Sequence, residues 1–191
     1  MAAASSVPPA PPAAPAPRHC QACGAPLAPV PRGEHARCAR CGTVAWRNPL
    51  PVALVLVEHA GGLVLIRRRL PPLAGCWAPP AGYVECGESV PAAAQREALE
   101  ETGLRIALDG LHGVYSHADV DVLIVAYRAH VLGGVARAGD DASALEIFPR
   151  GALPALGPAP AAPALDRWFH GVVSELIAPW SSPPTMQRKP T

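Results

Sequence analysis

The feature that most constrains this chain is a group of carboxylates within one short helical segment. Glu97, Glu100 and Glu101 lie three and four positions apart, so a helix places all three side chains on one face. Like charges at this spacing destabilise a helix by about 0.2–0.5 kcal/mol per pair. Five of the fifteen acidic residues fall between Glu85 and Glu101, although the chain is nearly balanced in charge. Such a cluster suits a hard divalent cation, and a solvated acidic face is the alternative for the three glutamates taken alone.

The residues around these glutamates favour the cation. Ser89 is a typical N-cap with Pro91 in the first turn, and Gly103 stands where a left-handed C-cap is needed. The helix is thereby fixed at both ends. Gly82 in the preceding loop allows the backbone to approach a cation closely. Arg96 can hold a neighbouring carboxylate in orientation.

The rest of the chain contains both strand and helix patterns. Five runs have strand character: 51–58, 63–69, 111–116, 120–132 and 145–148. The first two flank His59-Ala60-Gly61-Gly62 and predict a hairpin. An apolar stripe at helical spacing predicts a second helix over 164–178, and we attribute this stripe to core packing. It contains Leu165, Trp168, Phe169, Val172, Val173 and Leu176.

A second motif lies nearer the N-terminus. Two Cys-x2-Cys pairs are separated by fourteen residues, and each pair is followed by glycine: Cys20, Cys23, Cys38 and Cys41. Four thiolates in two tight turns suit a structural Zn²⁺ site, whose filled coordination shell leaves no position for catalysis. Disulfides are the alternative, which an intracellular location disfavours.

The composition limits the cellular compartment and the binding partners that we expect. A net charge of +1 gives no support for broad electrostatic binding to nucleic acid or to a membrane surface. No run of 18 or more apolar residues is present, and the Ala/Pro-rich N-terminus does not resemble a signal peptide. We therefore expect a cytoplasmic protein that binds neither membrane nor nucleic acid.

Residues 82–104 resemble the Nudix box at every defined position: Gly, five residues, Glu, seven residues, Arg-Glu, apolar, any, Glu-Glu, any, Gly, apolar. A weaker resemblance over residues 50–178 implies the α/β (α+β) fold class, as an α/β/α sandwich with a mixed sheet. The family acts on nucleotide-type small molecules, so the resemblance implies hydrolysis of a diphosphate with Mg²⁺ or Mn²⁺ as the catalytic cofactor. Implied ligands of this cation are the Gly82 carbonyl, Glu97, Glu100 and Glu101. Implied catalytic residues are Glu88, Arg96, Glu97, Glu100 and Glu101, with Arg96 orienting Glu97.

The sequence departs from the family in two places. The Leu-Pro-Gly-Gly of many relatives is replaced by Pro79-Pro80-Ala81-Gly82, which retains the essential glycine. A downstream glutamate that serves many relatives as base or metal ligand corresponds to Ala144. Glu146, Asp140 and Asp141 lie close by in the sequence, so the general base is left open.

Candidate substrate contacts come from the loop before the box. Arg67, Arg68 and Arg69 end the second strand, and a phosphate contact from one of them is weighed equally against a simply exposed strand end; Arg67 and Arg69 are the phosphate-binding candidates. Trp77 and Tyr83 could stack on a base, with loop packing as the equal alternative.

The cysteine module resembles the zinc ribbon that precedes some Nudix domains, including NADH, ADP-ribose and FAD pyrophosphatases. We therefore predict a Pro/Ala-rich disordered tail (1–17), a zinc ribbon (18–47), a Nudix domain (48–178) and a flexible C-terminal tail (179–191). The predicted function is cleavage of a nucleoside diphosphate linked to another moiety, with a homodimer left open. Removal of a nucleotide cap from RNA, or a non-catalytic nucleotide sensor or adaptor, are the alternatives.

Overall fold

The computed structural model describes residues 17–118, 120–139, 141–156 and 164–181. These residues form nine strands, two α-helices and one 3-10 turn. The strands are β1 (Ala36–Arg37), β2 (Val44–Ala45), β3 (Leu50–His59), β4 (Gly62–Arg68), β5 (Trp77–Ala78), β6 (Ala81–Tyr83), β7 (Leu104–His117), β8 (Val120–Gly134) and β9 (Ala142–Pro149). The helices are α1 (Val90–Thr102) and α2 (Ala164–Ile177), and the 3-10 turn is Ala178–Trp180.

The large sheet is mixed, as predicted. Strands follow the order β5-β4-β3-β8-β7, with β6 paired to β3 and β9 paired to β4. Strand β3 runs antiparallel to β4 and parallel to β8. The predicted hairpin is present, because Ala60 and Gly61 at the turn between β3 and β4 both have positive φ angles, as a two-residue hairpin turn requires.

Each face of this sheet carries one helix, which confirms the α/β/α sandwich. Alternate residues of β3 point to opposite sides: Ala53, Val55 and Val57 join one apolar cluster, whereas Val52, Leu54 and Leu56 join the other. The first cluster contains the small residues of α1, namely Ala93, Ala94 and Ala98. The second contains Phe169, Val172, Val173 and Leu176 of α2. The apolar stripe of α2 therefore packs on the core as expected.

Helix α1 is capped at both ends by the residues that the sequence predicted. The Ser89 hydroxyl accepts a hydrogen bond from the Ala92 N–H, and Pro91 lies in the first turn. Gly103 ends the helix with φ of 70°, and its N–H donates to the Leu99 carbonyl. Strand β7 begins at the very next residue, Leu104, which is earlier than the predicted start at Leu111.

The ribbon is a separate small unit that contacts the start of β8. Its two strands, β1 and β2, pair antiparallel. Arg32 and Arg47 each donate to one carboxylate oxygen of Asp121, at 2.8 and 2.7 Å. Arg32 also donates to the Ala118 carbonyl. These ion pairs join residues 18–47 to the sheet.

The C-terminal boundary differs from the prediction. We predicted a flexible tail from residue 179, but Trp180 is only 3% exposed and belongs to the core cluster beneath α2. The Gly151 N–H donates to its carbonyl, and the Arg150 guanidinium lies 5.1 Å from its ring centre. Residues 182–191 and residues 1–16 of the predicted N-terminal tail lie outside the described residues. Within the described part, no helix is both long enough and apolar enough to span a bilayer.

We predict that Trp180→Ala lowers the free energy of unfolding by about 3–5 kcal/mol, because it removes a large buried ring and leaves a cavity. Urea titration followed by circular dichroism measures this loss. Trp46→Ala is the matched control, since Trp46 is 68% exposed and its removal should change stability by about 0.5 kcal/mol or less. Equal losses for the two variants would show that the C-terminal turn does not stabilise the core.

Candidate active site

Arg96 lies at the centre of the carboxylate cluster. One of its terminal nitrogens donates to Glu97 at 2.6 Å and to Glu100 at 3.1 Å. The other donates to Glu88 at 2.7 Å and to the Tyr83 carbonyl at 3.0 Å. The Nε atom makes a second bond to Glu88 at 3.1 Å, so this pair is bidentate. The expected contact between Arg96 and Glu97 is present, and the arginine neutralises part of the repulsion within the cluster.

Glu88 and the loop before α1 hold each other in place. The Glu88 carboxylate also accepts a hydrogen bond from the Glu85 N–H at 2.8 Å. The hydrogen bond from Arg96 lowers the pKa of Glu88, so this carboxylate remains ionised and continues to orient the arginine.

The Glu97 carboxylate packs directly on Gly82. A Cβ atom at position 82 would lie 2.1 Å from Glu97 Oε1, so no larger residue fits there without displacing the carboxylate. Burial raises the pKa of Glu97, although Arg96 opposes this effect. The glycine of the box is therefore required here for close approach, and the strand pairing of Gly82 with Ala53 fixes its position.

Glu101 is the most buried charged residue of the site, at 6% exposure. Its carboxylate accepts a hydrogen bond from the Ala81 N–H at 2.9 Å and lies 4.0 Å from the Arg68 guanidinium. Burial raises the pKa of Glu101 to about 7. A carboxylate held in this environment gains most from a nearby cation.

A cavity of about 360 Å³ opens beside these two buried glutamates. Its lining is mixed: carboxylates come from Glu85, Glu97, Glu101 and Asp141, and apolar surface comes from residues that include Leu70, Pro71, Leu165, Trp168 and Phe169. A second depression, of about 480 Å³, adjoins it and is lined by Glu97, Glu100, Glu101 and Asp141 among others. Glu97, Glu100 and Glu101 thus border a common space, as the helical spacing predicted.

Of the three arginines at the end of β4, Arg68 is the one that reaches the cavity. Among the described residues it is the only basic side chain lining the 360 Å³ cavity. Its Nε atom donates to the Pro72 carbonyl at 2.7 Å, and its guanidinium lies 6.0 Å from the centre of the Phe169 ring. The pairing of β4 with β9 shifts register between Arg67 and Arg68, and such a bulge changes the direction of a side chain.

Of the other predicted substrate contacts, one lines the cavity and three do not. Tyr83 lines the cavity and is 54% exposed. Arg67 and Arg69 were predicted to bind phosphate, but neither lines the cavity: Arg67 donates to the Gly75 carbonyl and Arg69 to the Ala142 carbonyl. For Trp77, base stacking and packing were equal alternatives; its ring packs edge-on against Phe148 beside the core.

Of the described acidic residues downstream of the box and close to Ala144, one lines the cavities and the other does not. Ala144 lies on β9 opposite Arg67, and Glu146, opposite Leu65, lies outside both cavity linings. Asp141 lines both cavities. Asp140 lies outside the described residues.

The four cysteines of the ribbon form a cluster that could hold a metal ion. Their sulfurs all lie within 4.8 Å of one another, with Cys20 3.6 Å from Cys41 and Cys23 3.6 Å from Cys38. Both pairs have the same backbone pattern, in which the glycine N–H donates to the carbonyl of the first cysteine. The arrangement is compatible with the predicted zinc ribbon.

Comparisons with known proteins agree with this geometry. The Nudix domain family model matches residues 47–170. The ADP-ribose pyrophosphatase of Methanocaldococcus jannaschii is 43% identical over 105 residues, which are 53% of this chain and 62% of that protein. A putative 8-oxo-dGTP diphosphatase of Mycobacterium tuberculosis is 41% identical over 97 residues, which are 49% of this chain and 68% of that protein.

A Nudix hydrolase from Nitrosomonas europaea has a similar solved structure. The two superpose with a TM-score of 0.66 at 27% sequence identity, over 72% of this chain and 80% of the other. The matched region spans less than two thirds of the length of the archaeal relative. Since the family model covers more than half of the chain and includes the whole carboxylate helix, the chain belongs to the Nudix family.

Proposed function

We propose that this protein is a metal-dependent hydrolase that cleaves the diphosphate linkage of a nucleoside diphosphate joined to another moiety. The observation that carries the proposal is the cavity. Two glutamates of the box, the half-buried Glu97 and the buried Glu101, line the same space as the aromatic side chains of Trp168 and Phe169. A substrate that joins a charged diphosphate to a flat apolar base matches this mixed lining.

The donor set fits Mg²⁺ or Mn²⁺. Glu97, Glu100 and Glu101 offer carboxylate oxygens, which hard cations prefer, and Gly82 offers a backbone carbonyl beside Glu97. Burial raises the pKa of Glu97 and of Glu101, so a cation bound beside them would favour their ionised forms. When bound there, a divalent cation neutralises the phosphate charge and lowers the pKa of water.

The protein side chains position these ligands. Arg96 holds Glu97 and Glu100 through one nitrogen and Glu88 through the rest of its guanidinium, so the carboxylates are ordered before substrate arrives. Arg68 lies near Glu101 and Phe169 in the cavity, where a guanidinium can donate to a phosphate oxygen. Tyr83 and Trp168 offer rings to a nucleobase.

The relatives support this substrate class without selecting one member. One is named for ADP-ribose and another for an oxidised nucleoside triphosphate, and both names describe nucleotides cleaved at a phosphoanhydride. We favour the ADP-ribose, NADH or FAD type, because a relative that is 43% identical over 105 residues is named for ADP-ribose and the aromatic lining of the cavity suits one nucleoside. Four reduced thiols support a reducing compartment, which we take to be the cytoplasm.

Removal of a cap from RNA is the second candidate. It requires a surface on which unpaired bases can stack, and the ribbon offers one: Trp46 is 68% exposed and its ring centre lies 4.6 Å from that of His35. Two of the five ribbon arginines, Arg32 and Arg47, are already paired with Asp121. This leaves less positive charge for an RNA strand, and we place the candidate second for that reason.

We further propose that the cysteine cluster binds one structural Zn²⁺ through Cys20, Cys23, Cys38 and Cys41. Two Zn–S bonds of about 2.3 Å at a tetrahedral angle separate their sulfurs by about 3.8 Å, close to the distances seen here. All four positions are then protein ligands, so this ion is not catalytic.

Purified protein with Mg²⁺ or Mn²⁺ should hydrolyse at least one of ADP-ribose, NADH, FAD, dinucleoside polyphosphates, nucleoside triphosphates and capped RNA. Glu100→Gln and Glu101→Gln should each lower kcat/KM by about a hundredfold or more, because each removes a charged ligand of the cation. Glu146→Gln is the control, since Glu146 is exposed and lies outside both cavities. Absence of turnover on the whole panel, or full activity in both ligand variants, would disprove the enzyme proposal. Turnover of capped RNA alone would favour the second candidate.

Removal of the Glu101 charge should stabilise the metal-free protein. Because burial raises its pKa to about 7, the carboxylate destabilises the fold increasingly between its unfolded pKa and pH 7, and fully above that. Glu101→Gln keeps an oxygen for the Ala81 N–H and removes the charge. With chelator present at pH 8, it should raise the free energy of unfolding by about 1–3 kcal/mol, and the gain should shrink at pH 5. A variant less stable than the wild type at pH 8 would contradict the argument.

Metal analysis should find about one zinc per chain, as a four-thiolate site predicts. Cys23→Ser and Cys38→Ser should each abolish stoichiometric zinc and lower the melting temperature, since ribbon folding depends on the metal. Cys76→Ser serves as the control, because Cys76 lies in the core of the catalytic domain. Zinc retained at full occupancy in both ligand variants would exclude the site.

A further inference from the structure

A third depression lies where the ribbon meets the sheet, and no step of the proposed reaction uses it. Its volume is about 320 Å³, and we call it the junction pocket. Polar side chains of both units line it: Arg32, Glu34, Arg47 and Asn48 from the ribbon and its linker, and Ser116 and Asp121 from the adjacent ends of β7 and β8. The ribbon therefore forms one wall of a space beside the catalytic domain.

The ribbon fold sets the positions of the side chains on this wall. Arg32 and Glu34 lie in the loop between the two cysteine pairs. The Glu34 N–H donates to the Pro31 carbonyl at 3.1 Å, which closes a turn. The Arg47 N–H donates to His35 Nδ1 at 3.3 Å, which joins the end of the ribbon to the same loop. A zinc ion held by the cysteines would fix both ends of this loop.

Both arginines of the junction pocket are anchored and still have donors to offer. Arg32 donates from one terminal nitrogen to Asp121 at 2.8 Å and to the Ala118 carbonyl at 3.0 Å. Arg47 donates to the other carboxylate oxygen of Asp121 at 2.7 Å, also from one terminal nitrogen. A guanidinium carries five N–H groups, so each arginine retains donors for a further acceptor. The two side chains are 38% and 24% exposed, which leaves these donors open to a ligand.

The junction pocket adjoins the 360 Å³ cavity of the carboxylate site. Val122 lines both spaces. Along the neighbouring chain, Val52 lines the cavity and Pro49 lines the junction pocket. Three residues of extended chain span about 10 Å. A substrate whose diphosphate lies at the carboxylates can therefore extend across Val122 into the junction pocket.

The charges of the junction pocket suit hydroxyl groups better than a phosphate. Arg32 and Arg47 are donors, Glu34 and Asp121 are acceptors, and the Asn48 amide is both. A phosphate would be repelled by the two carboxylates, which offset the charge of the two arginines. A sugar hydroxyl both donates and accepts, so it can pair with either kind of side chain.

We propose that the junction pocket binds the sugar of the second moiety of the substrate, an inference that rests on the proposed function. Arg32 and Asn48 donate to the hydroxyls of this sugar, and Glu34 accepts from them. ADP-ribose carries such a sugar beyond its diphosphate, whereas a nucleoside triphosphate carries only phosphate there. The ribbon is then a specificity element of the enzyme as well as a structural one.

ADP isolates the contribution of the junction pocket, because it shares the adenosine and both phosphates of ADP-ribose but lacks the second ribose. Asn48→Ala leaves the ion pairs of Asp121 in place and should raise KM for ADP-ribose by about three- to tenfold. Arg32→Ala removes a charged donor and should raise KM by about tenfold or more. In both variants kcat and the inhibition constant of ADP should change by less than about twofold, since the lost contact is made equally before and during the reaction.

Arg40→Ala is the matched control, because Arg40 is an exposed ribbon arginine that does not line the junction pocket. It should retain the wild-type KM for ADP-ribose. The zinc content and melting temperature of Asn48→Ala should equal those of the wild type, which shows that the ribbon remains folded. An unchanged KM for ADP-ribose in both pocket variants would overturn the proposal. An equal rise in the inhibition constant of ADP would also overturn it, because the disturbance would then lie in the catalytic cavity.

Calorimetry with Ca²⁺ in place of Mg²⁺ separates this proposal from the proposed function. The wild-type protein should bind ADP-ribose more tightly than ADP by about tenfold or more, and Asn48→Ala should reduce that ratio. Preferential binding of ADP-ribose without turnover of any compound in the panel would refute the proposed function and retain the sugar site. Equal affinity for ADP-ribose and ADP in an active enzyme would refute the sugar site alone, and binding of neither would refute both.

Discussion

The ion pairs of Arg96 are the interaction on which the carboxylate site depends. One guanidinium contacts Glu88, Glu97 and Glu100, and it also reaches the carbonyl of Tyr83 in the preceding loop. Without this cation, acidic residues on adjacent turns would repel one another and the loop would lose its link to the helix. The arginine therefore allows a short helix to present carboxylates in an ordered arrangement before any metal binds.

Burial adds a second constraint at the same site. Arg96 makes no hydrogen bond to Glu101. The Glu101 carboxylate accepts one hydrogen bond from the Ala81 N–H and lies 4.0 Å from the Arg68 guanidinium. The raised pKa shows that this environment favours the uncharged form. The fold tolerates the cost because α1 is fixed by its caps and by the packing of Ala93, Ala94 and Ala98 on the sheet. The unfavourable burial of this charge is thus a consequence of the position of Glu101 beside the cavity.

The structural features that the sequence predicted correctly are those that depend on local spacing along the chain. The caps at Ser89 and Gly103, the β3–β4 hairpin and the meeting of Glu97 with Arg96 follow from residues close together in the chain. Features that depend on tertiary placement were not predictable. The choice of Arg68 over its neighbours follows from a register shift against β9, and the core position of Trp180 follows from packing under α2. One further outcome could not be read from periodicity: α2 both fills the core and lines the cavity with Trp168 and Phe169.

The same division separates the box from the segment before β9. The box carboxylates lie within 23 residues, so the helix sets their relative positions. The segment before β9 meets that helix through two backbone hydrogen bonds, at the carbonyls of Glu101 and Thr102. This close approach requires glycine at residue 139, because a Cβ atom there would lie 1.9 Å from the Glu100 carbonyl oxygen. The first arrangement follows from helical spacing, whereas the second joins residues that are far apart in the chain and depends on a single glycine.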